Sequence, residues 1–199
     1  MRVGLMMRAA PMLAPVLAMA LAGCSGAEDV ARPGTVRAEI SSAIYAPIAQ
    51  QRVDAAPLTE QEVFPAPALG VMKKESVTLT ADCGAAVAAD VDGCTQVVRG
   101  LFRGPELVGQ VAVFNLGDVA QADALVHRFR EELFLTPLGS ERAGTAMVRA
   151  MGHFVSVSWV SAEGDAQPDA QPDVRPDLAE PLAALDLASR FVQARILAL

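Results

Sequence analysis

The chain is short of basic residues. Sixteen Lys and Arg face 23 Asp and Glu over 199 residues, a formal charge of −7. The first 23 residues hold Arg2 and Arg8 and no acid, so the remainder carries 14 basic against 23 acidic groups, a net −9. A surface that acidic is a poor counterion for phosphate, which sets aside nucleic acid and anionic lipid headgroups as partners. Long apolar runs are missing as well. No stretch reaches the roughly 18 uninterrupted apolar residues of a spanning helix, so an integral membrane protein is set aside. Catalytic signatures are scarce. There are two histidines, and no Gly-x-Ser-x-Gly elbow, Walker loop, His-Glu-x-x-His or dinucleotide glycine pattern occurs. Aromatics make up only 5%, but 52% of residues are apolar, too many for disorder throughout, and the length suits one domain.

The N-terminus reads as an export signal. Arg2 and Arg8 lie in a short charged start, and residues 9–22 then run without a charge, interrupted by Pro11 and Pro15. A run of about 14 residues is the length of a secretory signal and too short to span a bilayer. It ends Leu21-Ala22-Gly23-Cys24. A peptidase cleft needs small side chains before the cut, and a thiol is a strong nucleophile near neutral pH. These four residues resemble the bacterial lipobox. The resemblance implies diacylglyceryl transfer to the Cys24 sulfur, cleavage before it, and often acylation of the new amino terminus. Two or three acyl chains, at ~0.8 kcal/mol per buried methylene, make a stable anchor. The plainer readings are an ordinary secreted protein with a Cys near its cleavage site, or Cys24 as a core residue.

Three cysteines is an odd count for an exported protein. With Cys24 carrying lipid, Cys83 and Cys94 remain as a pair in an oxidising compartment. They enclose a loop of about 12 residues, whose closure stabilises the fold by about 3 kcal/mol in the chain-entropy model. A redox role would call for Cys-x-x-Cys, and two Cys without nearby His are too few for zinc. The spacing favours a structural disulfide.

Residues 24–72 read as a partly disordered tether, small and polar at Ser25-Gly26-Ala27-Glu28-Asp29 and punctuated by Pro33, Pro47 and Pro57. Ile40, Ile44 and Ile48 allow a short helix, and Thr59-x-x-Glu62 has capping-box spacing for one helical turn stopped before Pro65. The folded domain begins near Lys73. Thr80 or Asp82 caps a short Ala-rich helix over 82–91. Residues 95–103 follow as a strand, with Val97, Arg99, Leu101 and Arg103 on one face and Val98, Gly100 and Phe102 on the other. Gly104-Pro105 turns the chain into a second strand over 108–116, completing a hairpin. A helix over 119–134 places Val119, Ala122, Val126, Phe129 and Leu133 on one face, behind a capping box at Asp118 and Gln121. A second hairpin joins 145–151 to 153–161 at Gly152. There Val155, Val157 and Trp159 make one apolar face and Ser156 and Ser158 lie on the other, as in a sheet covered on one side. Residues 164–177 form a low-complexity loop. Its evenly spaced aspartates invite a calcium reading, but the glycine turn and terminal Glu of a calcium loop are absent. A closing helix over 178–197 carries Leu182, Leu185, Val192 and Ile196.

The fold expected is therefore an α+β domain over 73–199, with an antiparallel sheet of about four strands in two hairpins and helices packed on one face. The order is α-β-β-α-β-β-α, with residues 1–23 as a signal peptide. Candidate chemistry is thin. His127 follows Asp123 by four residues on a helix, where the bland reading is an exposed histidine beside an acid. His153 is the one candidate general base. Arg99 and Arg103 share a strand face and could grip an anion, although arginines on a wet strand face need no such purpose.

Asp82-Cys83, Gly93-Cys94-Thr95-Gln96 leading into Val98-Arg99-Gly100, Val113-Phe114-Asn115-Leu116, and Gly152-His153-Phe154 with Trp159 are similar to a group of actinobacterial exported proteins. The resemblance covers about 80 residues and implies a disulfide, a hairpin and a strand beginning Gly-His-aromatic; it implies no reaction. Fourteen Arg against two Lys suggest a GC-rich genome, in keeping with it. The expected function is a lipid-anchored, non-enzymatic domain outside the cytoplasm. It would bind an envelope protein, glycan or small molecule, or serve envelope assembly, and require no cofactor or metal. The alternative is an envelope hydrolase using His153.

Overall fold

The computed structural model describes residues 31–140, 143–163 and 177–199. Residues 1–23, expected to be a signal peptide, Cys24 and nearly all of the low-complexity loop lie outside the described residues. The framework is one mixed, curled sheet of seven strands, not the antiparallel four expected. In chain order the strands are β1 (Thr35–Glu39), β2 (Ala68–Leu69), β3 (Met72–Thr80), β4 (Gln96–Gly104), β5 (Leu107–Asn115), β6 (Thr145–Met151) and β7 (Phe154–Ala162). Across the sheet they run β1-β6-β7-β5-β4-β3-β2. The two expected hairpins, β4–β5 and β6–β7, make its antiparallel centre. The additions are at the edges: β3 pairs antiparallel with β4, the two-residue β2 folds back on β3, and β1 runs parallel to β6.

Those additions come from the stretch read as tether. Residues 31–72 are built into the domain. Val36 and Ala38 of β1 pack on the core, and the Arg32 guanidinium donates to the Phe129, Arg130 and Leu133 carbonyls. A cation is favourable where the unpaired carbonyls of a helix end collect. That helix is α2 (Val119–Glu131), opened by Asp118, whose carboxylate accepts from the Gln121 amide at 2.9 Å. The capping turn at Thr59 also forms, as α1 (Glu60–Val63), with the Thr59 hydroxyl accepting from the Glu62 amide. In place of a helix through Ile40 and Ile44 there are β1 and a 3-10 turn (Ala43–Ile48). The Ala-rich helix over 82–91 shortens to a 3-10 turn (Gly84–Ala86).

The expectation that helices cover one face is corrected too. Every residue of β5, and all but the last of β7, is buried, and each face of the sheet has its own core. On one face α2 brings Ala122, Val126 and Phe129 against Val97, Phe114, Val155, Val157 and Trp159. On the other, α3 (Ala179–Asp186), a 3-10 turn (Leu187–Arg190) and α4 (Phe191–Leu197) lay Leu185, Phe191 and Val192 on Val98, Phe102, Val111, Val113 and Phe154. Gly109 makes the second packing possible, because a β-carbon there would stand 2.7 Å from a Leu185 methyl. Ser156 and Ser158, read as a wet face, are buried beneath this second layer.

Cys83 and Cys94 form a disulfide with a Cα–Cα distance of 6.2 Å. It closes the β3–β4 connection at its base.

Candidate functional site

His153 is fully buried at the turn between β6 and β7. Its Nδ1 lies 2.7 Å from the Ile48 carbonyl, its backbone amide donates to the same oxygen, and its ring lies 3.9 Å from that of Phe154. Gly152 before it adopts φ +64°, and a β-carbon there would collide with the Ile48 carbonyl. Burial pushes the imidazole pKa below its ordinary 6.5, against the pull of the Ile48 carbonyl and Asp54, with Arg195 adding to the depression. No hydroxyl, thiol or carboxylate hydrogen-bonds to the ring among the described residues, and its Nε2 has no partner. The geometry is that of a structural histidine that fixes the Ile48 segment over the sheet.

Arg195 lies close by in the electrostatic sense. It is 8% exposed and binds Glu62 through Nε and Nη2 at 2.6 and 2.8 Å, and Asp54 through Nη1 at 2.7 Å. It also donates to the Ala56 and Pro57 carbonyls. The cluster ties α4 to the 54–62 segment. Its pKa is raised, first by the Glu62 hydrogen bond, so it stays charged. Asp54 keeps its second oxygen buried and unpaired.

The two arginines expected to share an anion do share a face, but each is engaged separately. Arg99 is buried and donates to the Gln110 side chain at 2.9 Å and to Thr136. Arg103 is ion-paired with Glu75 and Glu163. His127 is exposed on α2, and Asp123 accepts from the Ser41 amide at 2.7 Å. Among the described residues no three His, Cys, Asp or Glu side chains gather as a metal site requires.

Among the described residues, two concavities stand out. One, of about 260 Å³, lies between β6 and the C-terminal helices and includes Tyr45, Arg149, Asp186, Ser189 and Arg190. Of its two arginines, Arg149 is committed: it binds Asp186 at 2.8 Å and Glu39 at 2.9 Å, locking α3 to β6 and β1. The other, of about 390 Å³, opens where β3 ends, β4 begins and β5 ends. Gln51, Leu79, Thr80, Thr95, Gln96 and Asn115 line it, with Ala55, Pro57 and Ala81 at the rim. Five of the nine lining residues carry a carboxamide or a hydroxyl, the other four are apolar, and none is charged.

This second pocket is built from the backbone up. Gln96 spends its amide on Leu58, accepting from its N–H at 2.7 Å and donating to its carbonyl at 2.9 Å, which pins the 55–58 wall. Gln51 donates to the Thr95 hydroxyl at 2.7 Å, and that hydroxyl reaches the Asn115 carbonyl at 3.2 Å. Ala81 and Thr95 are the two ends of the loop that the disulfide closes, so the crosslink holds two walls in register. Asn115 is one of the lining residues. It is 1% exposed, and its side-chain oxygen is buried without a partner. A buried acceptor left unpaired costs roughly 1–3 kcal/mol. None of these residues was singled out as a site from the sequence. The signal was there in one place: Asn115 shares the β5 face of Val111 and Val113 and is the polar exception on it.

Comparison with known proteins finds no matching family, no matching curated protein and no matching solved structure.

Proposed function

We propose that this protein is a lipid-anchored, non-enzymatic binding domain that works outside the cytoplasm and holds its ligand in the pocket at the end of β3, β4 and β5. The observation that carries the binding reading is the uncharged cavity of about 390 Å³ at which Gln51, Thr80, Thr95, Gln96 and Asn115 meet. The Cys83–Cys94 disulfide supports the oxidising compartment. Leu21-Ala22-Gly23-Cys24 supports the anchor. A hydrolase working through His153 gains no support from a ring buried against the Ile48 carbonyl.

The tether and the binding site are tested separately. Cys24→Ala is expected to abolish fatty-acid labelling and release the protein from membranes; labelling that persists removes the anchor. For the site, a photoreactive amino acid placed at Ala81 in living cells is expected to give a discrete adduct, whereas the same group at His127, on α2, gives none. Equal adducts from both positions, or none from either, remove the pocket as the binding site.

A further inference from the structure

The outer edge of β3 is half covered. β2 pairs with Lys73 and Met72, and the Lys74 amide donates to the Pro67 carbonyl at 2.8 Å. Beyond that, over residues 75–80, nothing among the described residues pairs with the outward backbone groups. Sheet edges left open are normally blunted by lysine, proline, a bulge or a covering segment, because a row of free N–H and C=O groups templates another strand. Here those devices sit at the covered end. The only two lysines in the chain are Lys73 and Lys74, and the register irregularity lies between Lys74 and Ser76. Residues 76–80, Ser-Val-Thr-Leu-Thr, carry none of them. Ser76, Thr78 and Leu79 are exposed, Leu79 at 43%. This unguarded edge runs into the pocket, since Leu79 and Thr80 belong to both and Ala81, the next residue, lines the pocket too.

We infer that edge and pocket form one site for an extended peptide, which adds as a strand beside residues 75–80 and places one neutral side chain in the pocket beside Leu79 and Thr80. The inference rests on the binding function proposed above and names its ligand class. Strand addition divides the work in a familiar way: main-chain bonds to the edge supply affinity, and a pocket for a side chain supplies selectivity. About 390 Å³ accommodates a side chain with its flanking backbone. The uncharged lining favours a neutral residue over an acidic or basic one. An oligosaccharide has no use for the strand edge and meets no aromatic face among the lining residues.

The test uses the full-length protein as isolated, on an array of random ten-residue peptides beside an array of N-acetylhexosamine oligosaccharides. The expected result is capture by a subset of peptides, with alternate amides of 75–80 becoming protected from hydrogen exchange. Ala81→Trp, at an exposed rim position, is expected to weaken that capture at least tenfold while leaving the unfolding midpoint unchanged. Four results overturn the inference: capture by oligosaccharides alone, no capture at all, capture indifferent to Ala81→Trp with protection elsewhere, or self-association through the 75–80 edge. In each case fatty-acid labelling of Cys24 and the adduct from Ala81 still report separately on the anchor and on the pocket.

Discussion

A single buried imidazole illustrates how residue type and residue role come apart. His153 has the chemistry of a general base, and its position after a glycine turn is visible in the sequence. What decides its role is the Ile48 carbonyl, 105 positions away, which occupies Nδ1 at 2.7 Å. Its depressed pKa makes a sign-definite prediction. The unfolded chain takes up a proton near the ordinary value of about 6.5 while the folded one resists, so the contribution to stability is complete above that pH. It is lost as pH falls through the lower folded value. Urea unfolding from pH 8 to pH 5 is expected to show a steeper loss in the native protein than in His153→Asn; parallel curves would refute it. Asn115 is the converse case, a residue without chemistry of its own that gains interest from burial alone. Its place among Val111, Val113 and Phe114 was legible, but its missing partner was not.

At the scale of elements, local signals read true wherever the determinant was local. The Asp118 and Thr59 caps both form, because each needs only a side chain and an amide two or three residues on. Asp118→Ala is expected to cost about 1 kcal/mol, read as a shift in denaturation midpoint, with no change in the protein's secondary structure at 25 °C. The hairpins β4–β5 and β6–β7 were legible from alternation, and the face assignments along β4 hold: Val97 packs under α2, and Val98 and Phe102 pack on the opposite side. The edge strands were not legible. β1 has five residues with two apolar ones, and β3 opens Met-Lys-Lys-Glu-Ser. An edge strand buries less than a central one, so polar residues are tolerated on it and the alternating pattern blurs.

For the molecule as a whole, the crosslink between Cys83 and Cys94 joins stability to the proposed site. Its reduction is expected to lower stability by about 3 kcal/mol, and to loosen the Ala81 and Thr95 walls so that peptide capture weakens as well. Measuring both in the paired Cys83→Ser and Cys94→Ser variant checks this; full stability without the bond would show that the loop is held by other means. Composition and short-range pattern by themselves determined the cysteine pairing, the central hairpins and the capped helix, because each depends on residues close in the chain. Tertiary structure alone decided that residues 31–72 belong to the sheet, that both of its faces are covered, and that Asn115, Gln51 and Thr80 meet at one cavity. The reason is distance along the chain: β1 joins β6 across 110 residues, from Glu39 to Arg149, and Arg195 reaches Glu62 across 133. Pairings of that span are set by which buried surfaces fit together, and a one-dimensional pattern carries no record of the fit.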